Sequence, residues 1–149
     1  MRYIASVLFL AFSMVISAYA DDEIIFKQML PLAQQGDSDA QYHVGMFYNN
    51  GIGTSKNTKL AFEWFQKSAS GNNPLGAYKV GCYYSGQGQD FMKVDHVKAL
   101  EYKMVAAKAG YALAQYDTAG LSFYNGNTDE AIKWLKMAGD QGDFDSLYT

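Results

Sequence analysis

The chain has 149 residues, 49% of them hydrophobic and 15% aromatic, with twelve basic against fifteen acidic side chains and a formal net charge of −3. That length suits one domain, and no stretch gathers lysines as a reader of phosphate backbones would, which argues against a nucleic-acid partner. Cys82 is the only cysteine, so no internal disulfide is available; the fold must rest on its apolar core, and Cys82 reads as a small buried hydrophobe.

Residues 1–20 read as a secretory signal peptide: Arg2, an apolar run from Tyr3 to Ile16, and the small-x-small ending Ala18-Tyr19-Ala20. The run is short for a membrane span and the acidic Asp21-Asp22-Glu23 is a poor stop-transfer flank, so a cleaved chain of residues 21–149, periplasmic or secreted and with no stable membrane insertion, is expected. "DEIIFKQMLPLAQQG", 22–36, reads as a helix closed by Gly36, with Pro31 expected to kink or shorten it.

From there the chain repeats itself. "DAQYHVGMFYNNG" (39–51), "LGAYKVGCYYSGQG" (75–88) and "LAQYDTAGLSFYNG" (113–126) share small residues, a tyrosine and an internal glycine: Gly45, Gly81 and Gly120. Each is followed by a second amphipathic stretch aligned on Ala61, Ala99 and Ala131, with Trp64, Tyr102 and Trp134 on the same helical face. These stretches close on Gly71, Gly110 and Gly142. Glycine inside a helix costs about 1 kcal/mol relative to alanine, so its recurrence implies close approach of the paired helix. Ser38 with Gln41 and Asn127 with Glu130 have capping-box spacing, and Pro74 suits a first helical turn. Units of about 38–71, 74–110 and 112–142 result, with a lone second helix before them and "DFDSLYT", a short start of another unit, after them.

The pattern small-x-x-x-apolar-Gly-x-x-Tyr-x-x-Gly-x-Gly, then Lys-x-Ala-x-x-Trp-aromatic-x-Lys-x-Ala, resembles the Sel-1-like repeat, a relative of the tetratricopeptide repeat. Unit one carries it as Ala40, Val44, Gly45, Tyr48, Gly51, Gly53, Lys59, Ala61, Trp64, Phe65, Lys67 and Ala69. The resemblance implies an all-α fold, an α/α solenoid of about three helix-turn-helix repeats, with first helices lining a concave face. On that face the partner-binding candidates are Tyr42, His43, Met46 and Phe47 in unit one, Tyr78, Lys79 and Tyr83 in unit two, and Tyr116, Asp117 and Leu121 in unit three. Tyrosine is a frequent anchor at interfaces.

Other motifs point away from chemistry. In "GIGTSK" the hydroxyls precede Lys56, whereas a phosphate loop needs Gly-Lys-Ser/Thr between strand and helix; the stretch reads as an inter-helix turn. Asn125, Asn127 and Asp129 have calcium-loop spacing, but Glu130 stands at the turn-glycine position and Lys136 at that of the bidentate acid. His43 and His96 have no ligand-spaced companions, and no nucleophile–base set stands out. The expectation is a protein without catalytic residues, cofactor or metal, whose partner is another protein: a toxin, an envelope component or an adaptor. Exported chains resembling this one include immunity proteins that neutralise toxins, which makes immunity the first specific reading. The alternative is a secreted hydrolase or binder of cell-wall or β-lactam-type ligands; that activity belongs to a cysteine-rich branch with a cysteine pair per repeat, which this chain lacks. Self-association through the thin C-terminal end is a further expectation.

Overall fold

The computed structural model describes residues 21–142, and among them every regular element is helical. α1 covers 21–34. It is followed by α2 (Ser38–Asn50), α3 (Thr58–Ser70), α4 (Pro74–Cys82), α5 (His96–Lys108), α6 (Ala112–Tyr124) and α7 (Thr128–Gly139), with a π turn, Tyr83–Gln87, extending α4. The signal-peptide expectation for residues 1–20 and the start of a further unit at 143–149 lie outside the described residues. Within them, no helix is long and apolar enough to cross a membrane.

α2 packs on α3, α4 on α5 and α6 on α7, and each pair leans on the next through α3 against α4 and α5 against α6. This is an α/α solenoid of three helix pairs preceded by a lone second helix. The units share a backbone signature: Gly36, Asn72, Gly110 and Gly142 all have positive φ. Unit one therefore closes on Asn72 (φ 63), and not on Gly71, whose φ is −81. Asparagine tolerates this left-handed position better than most side chains. Counting from these residues sets Gly45, Gly81 and Ala119 in equivalent places, and likewise Phe65, Lys103 and Leu135.

That register corrects one expectation. Gly45 and Gly81 do meet the paired helix: a Cβ on Gly45 would lie 2.6 Å from the Phe65 ring, and one on Gly81 would lie 2.6 Å from Lys103 Cγ. Gly120 is one residue out of phase, faces open space, and leaves the packing place to the buried Ala119. The second-helix small residues also align anew, as Ser68, Ala106 and Ala138, each fully buried.

Helix starts differ from the expected capping boxes. Asp37, and not Ser38, caps α2, its Oδ1 accepting from the Ala40 N–H at 2.8 Å. Gln41 turns inward instead, and its Nε2 donates to the Ala33 carbonyl at 3.1 Å, tying α2 to α1. Asn127 precedes α7 without a side-chain cap, and Glu130 accepts from Trp134 Nε1 at 3.4 Å. Pro31 does not stop α1, which stays helical to residue 34; proline so near a helix end removes a single backbone bond. Pro74 opens α4 as expected, behind Asn73, whose Oδ1 accepts from Leu75 and Gly76 N–H.

The core changes character along the solenoid. Between units one and two it is aromatic: Tyr83, 1% exposed, lies 5.3 Å from the Phe62 ring and 6.0 Å from that of the buried Phe65. Between units two and three it is made of Ala106, Ala107, Ala114 and Ala119 around Trp134, and α6 also buries Gln115, Thr118 and Ser122.

Candidate functional site

The glycine stretch that invited a phosphate reading is a packed turn. Gly51 takes the left-handed conformation that ends α2 and donates its N–H to Phe47 O, and Asn57 N–H bonds Tyr48 O at 2.8 Å to close the loop. Gly53 (φ 63) sits against the carbonyl of Asp22, so its backbone faces α1. Among the described residues no three histidine, cysteine or acidic side chains gather as a metal site. Asp95, next to His96 in sequence, is the N-cap of α5 and accepts from Lys98 N–H at 3.0 Å.

The candidates on the first helices fall into three settings. In unit one, Tyr42, His43, Met46 and Phe47 line a hollow of about 330 Å³ together with Asn50 and the exposed Ile52. Tyr42 is anchored by ring contacts to His43 (5.3 Å) and Phe65 (6.0 Å), and burial, with Tyr111 near, raises its pKa. His43 is exposed, while Phe47 leans edge-on against Phe26 at 5.8 Å. In unit two, Tyr78 and Lys79 are half-buried. Tyr83 is not a groove residue: it is core, its hydroxyl donating to Asn49 Oδ1 at 2.8 Å and its ring packed among Phe62, Phe65 and Phe91. Its phenol is pushed up to about 12 by burial.

In unit three, Tyr116 is exposed, Leu121 half-buried, and Asp117 belongs to a charge cluster that spans two units. Lys103 Nζ of α5 lies 2.6 Å from Asp117 Oδ2 of α6, and Tyr78 Oη of α4 donates to the same oxygen at 3.0 Å. Lys103 is 6% exposed, with its ammonium 5.5 Å from the Tyr78 ring centre. Burial raises the Tyr78 phenol well above its ordinary range, helped by Cys82 and Asp117. Burial also pushes the Cys82 thiol up, against the opposing pull of Lys103 and of a hydrogen bond with Tyr78. These groups are held protonated or paired, an arrangement that joins α4, α5 and α6 rather than activating a nucleophile.

Beside this cluster runs a cleft of about 740 Å³, lined by Ser85, His96, Lys103, Asp117, Phe123, Ile132 and Leu135 among others. Sequence reasoning weighed His96 only as a metal ligand and did not single out Lys103, Ile132 or Leu135 as site residues. Lys103 was legible in principle as a lysine in the place held by Phe65 in unit one, but only in the register that Asn72 sets.

Comparison with known proteins agrees with this architecture. The Sel1 repeat family profile matches residues 38–73, 74–111 and 112–143. A sel1-like repeat-containing protein of Acanthamoeba polyphaga mimivirus is 31% identical over 112 residues, 74% of this chain and 20% of that protein. A second such mimivirus protein is 50% identical over 44 residues, 30% of this chain and 8% of its own length. The chain thus spans a fifth or less of these relatives. Among solved structures, a Sel1 repeat protein from Oxalobacter formigenes superposes with a TM-score of 0.68 at 25% identity, covering 80% of this chain and 91% of that one. A protective antigen present in uropathogenic Escherichia coli strains, with an SLR fold, superposes at 0.71 and 26% identity over 81% of this chain and 26% of that one.

Proposed function

The chain belongs to the Sel1 repeat family, and on that premise we propose that it is a non-catalytic module that holds a segment of a protein partner against the face of α2, α4 and α6. The observation that carries this reading is the repeated tyrosine column Tyr42, Tyr78 and Tyr116, flanked in unit one by the hollow between Met46, Phe47 and Ile52. Rigid aromatic side chains with a polar tip offer contact area at small entropic cost. Flanking His43 and Lys79 differ in chemistry between units one and two, so the same column offers different contacts along its length. Tyr83 and Asp117 contribute by shaping this face from below: one fills the core and the other is held by Lys103.

The more specific reading is an exported immunity protein that neutralises a toxin in the periplasm or outside the cell. Its support is the signal-like sequence of residues 1–20 together with a helical repeat module bearing the proposed tyrosine face. Photo-crosslinking residues placed at Tyr42 and Tyr116 test both levels. A single protein adduct at both positions is expected, its identity a toxin encoded beside this chain, with cells lacking the chain sensitive to it. An adduct with some other protein ends the immunity reading. No adduct at either position ends the reading of this face as a binding surface.

A further inference from the structure

The junction of units two and three repeats the junction of units one and two without its aromatic filling. In the first, Tyr83 lies on Phe62 and Phe65 of α3, packs against Phe91 from the turn before α5, and donates its hydroxyl to Asn49 of unit one. In the second, the register of Asn72 and Gly110 puts Leu121 at the place of Tyr83, Lys103 at that of Phe65 and Ser85 at that of Asn49. Leucine has no hydroxyl to offer Ser85. Phe91 also lacks a counterpart, because unit three joins its helices through residues 125–127 alone, where unit two uses 88–95.

Ser85 Oγ and His96 Nδ1 are accordingly buried with no hydrogen-bond partner among the described residues. A Cβ on Gly120 would meet none of those residues within 4 Å, although its counterparts in the other units are the larger Met46 and Cys82. Ser85, His96, Gly120 and Leu121 line one cleft, together with Lys103 and Asp117. They come from the π turn, α5 and α6, so the part of the cleft that they bound belongs to an internal junction, whatever follows residue 142.

We propose that this junction is a pocket for a phenol ring, and that its occupant is a tyrosine side chain of the partner segment lying against α2, α4 and α6. The occupant rests on the reading of that face as a binding surface; the pocket does not. Tyr116 connects the two, since it belongs to the tyrosine column and lines the same cleft. The chain itself supplies the chemistry: the equivalent space one unit earlier holds a phenol. A phenol hydroxyl both donates and accepts, so it can meet Ser85 Oγ or His96 Nδ1 in either protonation state of the imidazole. Its ring suits Leu121 and the uncovered Gly120, and burying it there removes apolar area from water, which a trapped water molecule would not do. Lys103 and Asp117 neutralise each other in the wall, which favours a neutral occupant over an ion.

The test uses the full chain and p-cresol, the tyrosine side chain as a free molecule, followed through the NMR signals of Ser85, Gly120 and Leu121. Saturable shifts with a dissociation constant on the order of 1 mM are expected. Toluene, the same ring without the hydroxyl, should bind about fivefold more weakly. Gly120→Met fills the space with the side chain that unit one carries at this place, and Leu121→Tyr fills it with the chain's own phenol. Each should abolish p-cresol binding, and Leu121→Tyr should also raise the urea midpoint; circular dichroism checks that the helices persist. Photo-crosslinking at Tyr42, in unit one and outside the pocket, identifies the occupant: Gly120→Met should lower the partner adduct at least about threefold. Absence of saturation up to about 20 mM p-cresol, shifts indifferent to Gly120→Met, or toluene bound as tightly as p-cresol overturns the pocket and leaves the binding face standing. Binding that appears only after deletion of residues 143–149 overturns the proposal in favour of the chain's own Tyr148 as occupant. Saturable p-cresol binding with an adduct indifferent to Gly120→Met overturns the partner tyrosine and assigns the pocket to a free phenolic compound. Saturable p-cresol binding with no adduct in any variant does the same and also ends the reading of the face.

Discussion

Lys103 Nζ lies 2.6 Å from Asp117 Oδ2, at the place where unit one sets the ring of Phe65. One interface of the solenoid is thus closed by an ion pair and the other by aromatic packing. A buried lysine tolerates its position only while its partner remains, and Asp117 also satisfies Tyr78 Oη. Breaking a buried pair from one side costs about 3–5 kcal/mol, whereas replacing both partners is far milder. Asp117→Ala should destabilise by about 3 kcal/mol, the lower end because the Asp117 side chain keeps 26% exposure. Lys103→Met with Asp117→Asn, which preserves an acceptor for Tyr78, should fall within about 1 kcal/mol of the parent. Urea unfolding of the three proteins decides it; a small loss in Asp117→Ala would show that the pair does not join the units.

Thr118 occupies the position of Val44 and Val80, is fully buried, and its hydroxyl has no hydrogen-bond partner among the described residues. A buried unsatisfied hydroxyl costs about 1–3 kcal/mol, and valine keeps the shape without it. Thr118→Val should therefore stabilise by about 1 kcal/mol and raise the melting temperature by about 2–4 °C. Calorimetry showing a lower melting temperature would mean that the hydroxyl is satisfied in solution.

The internal glycines separate what the sequence made legible from what it hid. Helix pairs, their order and the tyrosine column follow from periodicity and turn residues, which are local signals. Register is different: Gly71 and Gly120 both draw the eye as repeat glycines, yet Asn72 ends unit one and Ala119 packs in unit three. Only the spatial superposition of units distinguishes them. The same one-residue ambiguity hid Lys103 as the counterpart of Phe65, and burial of Tyr83 depends on the rings of Phe62, Phe65 and Phe91 in other segments, which helical periodicity does not anticipate. Gly45→Ala should cost about 1–3 kcal/mol by forcing the fully buried Phe65 to shift. Gly120→Ala, in open space one residue out of phase with Gly45, should be neutral or stabilise by up to about 1 kcal/mol. Equal effects of the two substitutions would contradict this register.

Alkaline pH should weaken the junction of units one and two. The Tyr83 phenol, ordinarily near 10.0, is raised to about 12 by burial. Below its unfolded value both states hold the proton and stability is full. Above it the unfolded chain ionises while the folded chain resists, so stability falls from about pH 10 until the folded phenol ionises near 12. Tyr83→Phe removes that dependence while losing the bond to Asn49, about 1 kcal/mol at neutral pH. The fall in urea midpoint on raising the pH from about 9 to about 11 should be smaller in Tyr83→Phe than in the parent. Parallel profiles would assign the alkaline loss to the other groups that burial raises, Tyr42, Tyr78 and Cys82.

Unit three should open before units one and two. In a solenoid, stability is close to a sum of unit and nearest-neighbour terms, and those terms are unequal here. The first junction packs Phe62, Phe65, Val80 and Tyr83 together. The α6 contribution is instead Ala114 and Ala119 with buried Gln115, Thr118 and Ser122, the last two with hydroxyls lacking partners among the described residues. Alanines remove less apolar area from water than aromatic rings, at about 25 cal/mol per Å², and unsatisfied hydroxyls subtract further. Native-state amide exchange should therefore show α6 and α7 opening through a local event at least about tenfold more often than α3 and α4, a gap of roughly 1.4 kcal/mol. Uniform protection from α2 to α7 would mean that the three units unfold as a single cooperative block, and that the Lys103–Asp117 junction transmits stability as fully as the aromatic one.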